Sequence, residues 1–264
     1  MIKTAEAMRQ ALRRDTFSGL ILYQGASALD GAPIVAIANR YETRKSNNAK
    51  TGAMVQSFII RSDLDPLAAI KAGLDSSVCG DCLARPANAG FCYVQVGKSV
   101  ASVYGAFLRG RYAAPGADYD PAILADLYAD SIFRLGAYGD PAAAPYAIWH
   151  EATRLAKARN GYTHQWRRFP EFKALCMASC DDAADHAEAK AAGWRTFRIR
   201  LAYEPLARRE IACPASAESG NKTNCAACQA CGGLQAKAKA DVAIVAHGPT
   251  ARRFELFRNG QAIA

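Results

Sequence analysis

From residue 132 onward the sequence alternates short apolar runs with helical or polar stretches, and this alternation limits the possible fold more than any other feature. IFRLGAYGDP (132–141), GYTHQW (161–166), ALCMASC (174–180), RTFRIRL (195–201), EIACPAS (210–216) and DVAIVAHG (241–248) each have the composition of a strand. PYAIWHEATRLAKARN (145–160) reads as an amphipathic helix. DDAADHAEAKAAG (181–193) reads as a helix with acidic residues at its start and Gly193 at its end. Strands that are nearly apolar throughout, joined by helices or long loops, are buried on both faces and pair in parallel. Six such runs suit either an incomplete barrel or a doubly wound sheet.

Upstream, GLILYQGASALDGAPIVAIA (19–38) predicts a hairpin around Asp30-Gly31, and AMVQSFII (53–60) predicts a further strand. Asp65-Pro66 starts a helix that runs to about Leu74. KSVASVYGAFLRGRY (98–112) and PAILADLYADS (121–131) are expected helices, and FELFRNGQAI (254–263) is an expected hairpin around Asn259-Gly260. No apolar stretch reaches the eighteen residues that a membrane span needs. The first residues, MIKTAEAMRQALRRDTF, read as a short amphipathic helix rather than a signal peptide, so a cytoplasmic protein is expected.

Nine cysteines, an odd number, in a chain with no secretion signal point to metal or catalytic use rather than to disulfides. Seven of them fall into two sets. The first is Cys79-x2-Cys82-x9-Cys92 and the second is Cys213-x11-Cys225-x2-Cys228-x2-Cys231. Zinc sites use separated Cys-x2-Cys pairs, whereas C-x2-C-x2-C with a distant Cys-Pro, here Cys213-Pro214, resembles the ferredoxin pattern. Gly232 and Gly233 would let the backbone pass close to the sulfides. The second set is therefore expected to hold an iron–sulfur cluster, with zinc as the alternative. Three thiols in the first set would leave one iron without a protein ligand, able to bind a substrate or cofactor. The alternative there is a zinc knuckle completed by His164 or Cys180. Cys176 and Cys180, four apart in a strand, would share one face and pack as small hydrophobes.

Cys92-Tyr93, the helix after it, and a strand ending in Tyr138-Gly139-Asp140-Pro141 resemble the opening of a radical S-adenosylmethionine enzyme. In that family a three-cysteine loop follows the first barrel strand, and the next strand ends in a GGEP-like motif. The cysteine spacing departs from the usual CxxxCxxC, and Asp140 stands for the usual glutamate. The resemblance spans about residues 53 to 248. It implies a 4Fe–4S cluster on Cys79, Cys82 and Cys92, S-adenosylmethionine near Tyr93, Gly139 and Asp140, and an auxiliary cluster on the second cysteine set. The open iron would chelate the cofactor, and the protein would position a radical reaction in a dry barrel. GYTHQW and CPAS…CxxCxxCGG are also similar to an uncharacterised phage-encoded cysteine-rich family. The expected fold class is thus α/β: a partial (βα)6 barrel-like parallel sheet with an N-terminal β-hairpin extension and a C-terminal cysteine-rich metal loop. The expected division is 1–52 for the helix and hairpin, 53–248 for the barrel-like domain and 249–264 for a terminal hairpin or tail.

The remaining functional expectations rest on single residues and on charge. Within GYTHQW, Tyr162, His164 and Trp166 share one face, so His164 is a proton donor or ligand, or else a satisfied core histidine. Asp181 and Asp182 either contact substrate at a strand end or simply cap the next helix. His150 and His186 are expected to face solvent or pack locally, and His247 is a weak ligand candidate. The net charge of +9 permits a nucleic-acid partner. RYETRK (40–45), LRGRY (108–112) and QWRRF (165–169) mix arginine with aromatics in a way that suits phosphate contact and base stacking. The leading expectation is an iron–sulfur, radical-type enzyme acting on nucleic acid or a nucleotide, with Asp140, His164 and Asp181 as catalytic residues. The alternatives are a nucleic-acid-binding protein with structural metal, and a transglycosylase-like barrel enzyme acting on nucleobases through Asp140 and Asp181.

Overall fold

The structure is a computed structural model that describes residues 1–39 and 50–261. Ten strands form one mixed, mostly parallel sheet in an α/β fold. They are β1 (Gly19–Ala26), β2 (Pro33–Asn39), β3 (Val55–Arg61), β4 (Tyr112–Ala113), β5 (Ile132–Tyr138), β6 (Ala158–Thr163), β7 (Met177–Cys180), β8 (Thr196–Arg200), β9 (Glu210–Ala212) and β10 (Asp241–Val245). Their order is β4-β1-β2-β3-β5-β6-β7-β8-β10-β9. The hairpin β1–β2 pairs antiparallel and joins the sheet through β3. From β3 to β9 every neighbouring pair is parallel.

The helices are α1 (Ala5–Arg13), α2 (Pro66–Lys71), α3 (Ser76–Cys79), α4 (Ala101–Leu108), α5 (Leu124–Leu127), α6 (Tyr146–Thr153), α7 (Ala183–Ala191), α8 (Cys225–Cys228) and α9 (Ala251–Arg258). Their starts follow from local chemistry. Asp65 accepts from the backbone N–H groups of Leu67 and Ala68, with Pro66 at the first helical position. Asp182 accepts from the Asp185 N–H and caps α7, which makes this residue a cap. The largest core cluster runs from Met8 and Leu12 of α1, through β1–β3 and β5, to Trp149 of α6 and Trp194. The N-terminal helix and hairpin therefore share a core with the parallel strands.

Several expectations change. The regular strand–helix alternation of a (βα)6 barrel is not what forms. A single-turn 3-10 segment, Pro170–Ala174, connects β6 to β7, and no helix lies between β8 and β9. Pro170 cannot continue a helix from the preceding turn. The stretch 145–160 is helical only to Thr153, because residues 158–161 pair with β5 instead. His164 and Trp166 thus lie beyond β6, not in it. In ALCMASC the strand begins at Met177, so Cys176 precedes it and the shared-face argument with Cys180 fails, although both cysteines are buried. The 254–263 hairpin is instead α9. Phe254 and Phe257 recur at helical spacing, and both pack on Phe91. The Asn259-Gly260 pair ends the helix, with Gly260 at φ +65°. Among the described residues no helix is long and apolar enough to cross a membrane.

Candidate functional site

The C-terminal ends of parallel strands are where α/β proteins build sites, and here they surround a cavity of about 360 Å³. Three features meet in its wall: Cys79, Cys82 and Cys92 from the loop after β3, Cys213 and Cys225 from the second cysteine set, and the Tyr138-Gly139-Asp140 turn.

The first cysteine loop is built firmly. The buried Arg85 guanidinium donates to the carbonyls of Gly80 and Gly73 and, at 2.7 Å, to Asp75. The Asp140 N–H donates to the Val78 carbonyl at 2.6 Å, which ties the turn after β5 directly to α3. Gln165 donates to Asp81. From the other side, the Thr250 hydroxyl donates to the Phe91 carbonyl at 2.9 Å, and the Phe254 ring meets Phe91 edge-on at 5.1 Å. Burial, and then the neighbouring Cys82 and Cys92, push the Cys79 thiol well above its ordinary pKa.

Asp140 is committed to the fold. One carboxylate oxygen accepts from the Ala142 N–H and the Thr163 hydroxyl, and the other accepts from the His164 N–H at 2.7 Å. A carboxylate offers about four lone-pair sites, so one remains for a ligand. Burial raises its pKa, against those hydrogen bonds. His164 was expected inside a strand. It sits in the following turn, with Nε2 at 3.8 Å from the Cys82 sulfur and 3.4 Å from Asp181. Both groups approach the same nitrogen, so this is not a relay through the two sides of the ring. Burial opposes the imidazolium, yet Cys82 and Asp181 raise its pKa well above the ordinary value. Asp181 is buried and faces the cavity, while Asp182 caps α7. Tyr93 lines the cavity, and its hydroxyl oxygen accepts from Arg134 at 2.8 Å.

The second set follows β9, and Cys213 and Cys231 pack with Met177 of β7 and with Val242 and Ile244 of β10. The Cys213 N–H donates to Ala243, the Cys225 N–H to the Lys50 carbonyl, and Cys231 accepts from the Gly161 N–H. Asn224 caps α8. Cys213 and Cys231 are buried, and Cys225 and Cys228 half-buried. Burial, and then Cys213, Cys225 and Cys228, raise the Cys231 thiol to about 12, against a hydrogen bond from Tyr162. The expected role of Gly232 and Gly233 changes. A Cβ on Gly232 would come within 2.7 Å of the Arg159 carbonyl, and one on Gly233 would meet the backbone at Lys173 and Cys176. The close approach is to the protein's own chain.

All nine cysteines are free thiols. Among the described residues no group of three or more His, Cys, Asp or Glu side chains is gathered to hold a single metal ion. Two of the basic–aromatic segments are engaged within the chain. Arg167 lies over Trp166 at 3.9 Å and pairs with Asp185 and Glu188, and Arg111 pairs with Asp15. RYETRK lies outside the described residues. His150 stacks on Tyr146, and His186 packs on Thr196. His247 lines the cavity beside Lys50. Arg134 and Asn160, which sequence reading passed over inside apolar-looking runs, also line the cavity. Neither the protein families compared, nor the curated proteins, nor the solved structures contain a match to this chain.

Proposed function

We propose that this chain is an iron–sulfur enzyme of the radical S-adenosylmethionine type, working in the cavity between its two thiol sets. The observation that carries this reading is that both sets open onto one cavity, at the C-terminal ends of parallel strands, beside the turn that binds the first cysteine loop. The donor chemistry fits. Seven soft thiol ligands in two groups, none of them in a disulfide, suit iron–sulfur ligation. Cys79, Cys82 and Cys92 would hold one cluster, and Cys213, Cys225, Cys228 and Cys231 the other. When bound, such a pair supplies one-electron and radical chemistry.

The chain's own residues do the rest. Phe91 and Phe254 meet edge-on in the cavity wall and give it an apolar surface. Asp140 retains one acceptor position toward the cavity. His164 holds a proton at Nε2 toward Cys82 and Asp181. Nucleic acid or a nucleotide as substrate rests on the net charge of +9 alone.

A second reading has its own observation. The Cys82–His164 approach at 3.8 Å favours zinc on Cys79, Cys82, Cys92 and His164, which would make the loop a structural staple. Anaerobic purification decides between them. A brown protein with absorption near roughly 400 nm, iron and acid-labile sulfide supports clusters. Colourless protein with stoichiometric zinc, retained in wild type and lost in His164→Ala, supports the staple. Cys225→Ala and Cys228→Ala are expected to lose metal and solubility, because ligand loss removes folding free energy. Full metal loading in both variants removes the second cluster. Absence of 5′-deoxyadenosine from reduced, fully loaded protein removes the enzyme reading.

A further inference from the structure

We infer that the cavity contains an oxyanion-binding subsite centred on Arg134, and that the molecule it takes carries a phosphate or carboxylate group. This deepens the reading above, since it names the substrate class for the same cavity.

A guanidinium in the middle of a parallel strand is costly to place. Arg134 is the third residue of β5, with strands on both sides. It lines the cavity and is half-buried. Burying a cation requires pairing or hydrogen bonds that replace water. Elsewhere in this protein that requirement is met within the chain: Arg85 pairs with Asp75, Arg198 with Glu210 and Arg200 with Glu218. Arg134 differs. Among the described residues no carboxylate lies within ion-pair distance, and its one side-chain hydrogen bond goes to the neutral Tyr93 hydroxyl.

Its neighbours complete a receptor. In the β5–β6 register Arg134 stands directly opposite Asn160. Asn160 is 3% exposed and lines the cavity, and its Oδ1 has no hydrogen-bond partner among the described residues. An unpartnered buried acceptor is expensive unless a ligand brings a donor to it, such as the P–OH of a protonated phosphate. Guanidinium and phenol hydroxyl offer donors, and the Asn160 amide oxygen offers an acceptor beside them, from two adjacent strands and a loop, so the ligand that suits them carries an O–H or N–H next to its anionic oxygens. A planar guanidinium fork matches the two oxygens of a carboxylate or phosphate. Beside it, Tyr162 and Phe197 sit 4.3 Å apart between ring centroids and give the wall an aromatic face. Asp140 and Asp181 lie at the other thiol set. The first set has two carboxylates with His164 between Asp181 and Cys82, whereas near Cys225 the wall carries Arg134 and Lys50, so an anionic ligand is favoured at the second end.

The test uses the full chain, purified anaerobically, in low-salt buffer. Inorganic phosphate and benzoate are titrated separately by calorimetry, with iron and zinc measured on the same samples. Saturable one-site binding of phosphate alone points to a phosphorylated ligand, and of benzoate alone to a carboxylate with a flat apolar body. Arg134→Gln is expected to weaken the bound probe about tenfold or more, and Arg134→Lys to recover part of that loss, since charge without the fork is a poorer match. Asn160→Asp, which keeps volume but adds a negative charge, is expected to abolish binding and serves if Arg134→Gln folds poorly. Wild-type protein that binds neither probe at millimolar concentration overturns the subsite, as does binding that Arg134→Gln leaves unchanged. Loss of metal in Arg134→Gln, with probe affinity retained, makes Arg134 a counter-charge for the second thiol set and also overturns it. Metal-free protein that still binds a probe through Arg134 keeps the subsite while the cluster reading fails.

Discussion

Gly139 stands at φ +79°, and a Cβ placed there would lie 2.6 Å from the Ile59 carbonyl oxygen. Two constraints, left-handed backbone and a hard contact with β3, therefore fall on one residue of the turn that ties β5 to the first cysteine loop. Gly139→Ala is expected to cost about 1–3 kcal/mol from backbone strain alone, with the contact adding to it, as read from urea unfolding midpoints. An unchanged midpoint would mean that the turn relaxes freely. Sequence reading found this turn through its resemblance to a GGEP-like motif, but it assigned Asp140 only to chemistry. The hydrogen bonds from Ala142, Thr163 and His164 were not legible, because they join residues up to 24 positions apart. Arg134 was missed for a related reason. A single arginine inside IFRLGAY is an ordinary strand residue until its surroundings are known.

Edge strand β9 is held by more than its backbone pairing. Arg198 on β8 and Glu210 on β9 form a buried ion pair across the intervening β10. Burial works against the Glu210 carboxylate, but the hydrogen bonds from Arg198 and the Ala207 N–H outweigh it and hold its pKa below the ordinary value. A carboxyl depressed on folding contributes stability that is complete above its ordinary pKa and is lost as pH falls through the folded value. Unfolding free energy should therefore drop from the ordinary carboxylate range downward into acid. Glu210→Gln should flatten that drop and cost about 3–5 kcal/mol at neutral pH, because it strands Arg198. Urea titrations across the acid range check both. Helix α9 and the Thr250 before it play a similar fastening role, through Phe254, Thr250 and Arg253 on the loop at 90–92. Deleting residues 251–264 should expose Phe91 and speed iodoacetamide labelling of Cys92 in metal-depleted protein, measured by mass spectrometry. Equal labelling rates would show that the loop stands without the helix. The sequence placed this helix as a hairpin because Asn-Gly serves equally as a hairpin turn and as a helix stop.

Most of the parallel run was legible as strands, since β-branched and apolar runs bounded by turn residues are a local signal, although β6 lies three residues earlier than GYTHQW and β7 begins only at Met177. What was not legible was their order. Nothing local tells β10 to enter between β8 and β9. The N-terminal hairpin was read as an extension, yet β2 is a full partner of β3 and its Ile34, Val35, Ala36 and Ile37 are buried. A chain lacking residues 1–39 is expected to be insoluble or to bind hydrophobic dyes, as fluorescence would show, because β3 would keep one unpaired, apolar edge. The position of β10 also sets a sequence of events in time. β9 leaves the ribosome before β10 but has no other strand to pair with. Cys213, whose N–H donates to Ala243 of β10, therefore emerges without that partner, whereas Cys225 and Cys231 already have theirs in Lys50 and Gly161 earlier in the chain. The edge at Glu210–Ala212 thus closes only when Asp241–Val245, the last strand made, enters between it and β8.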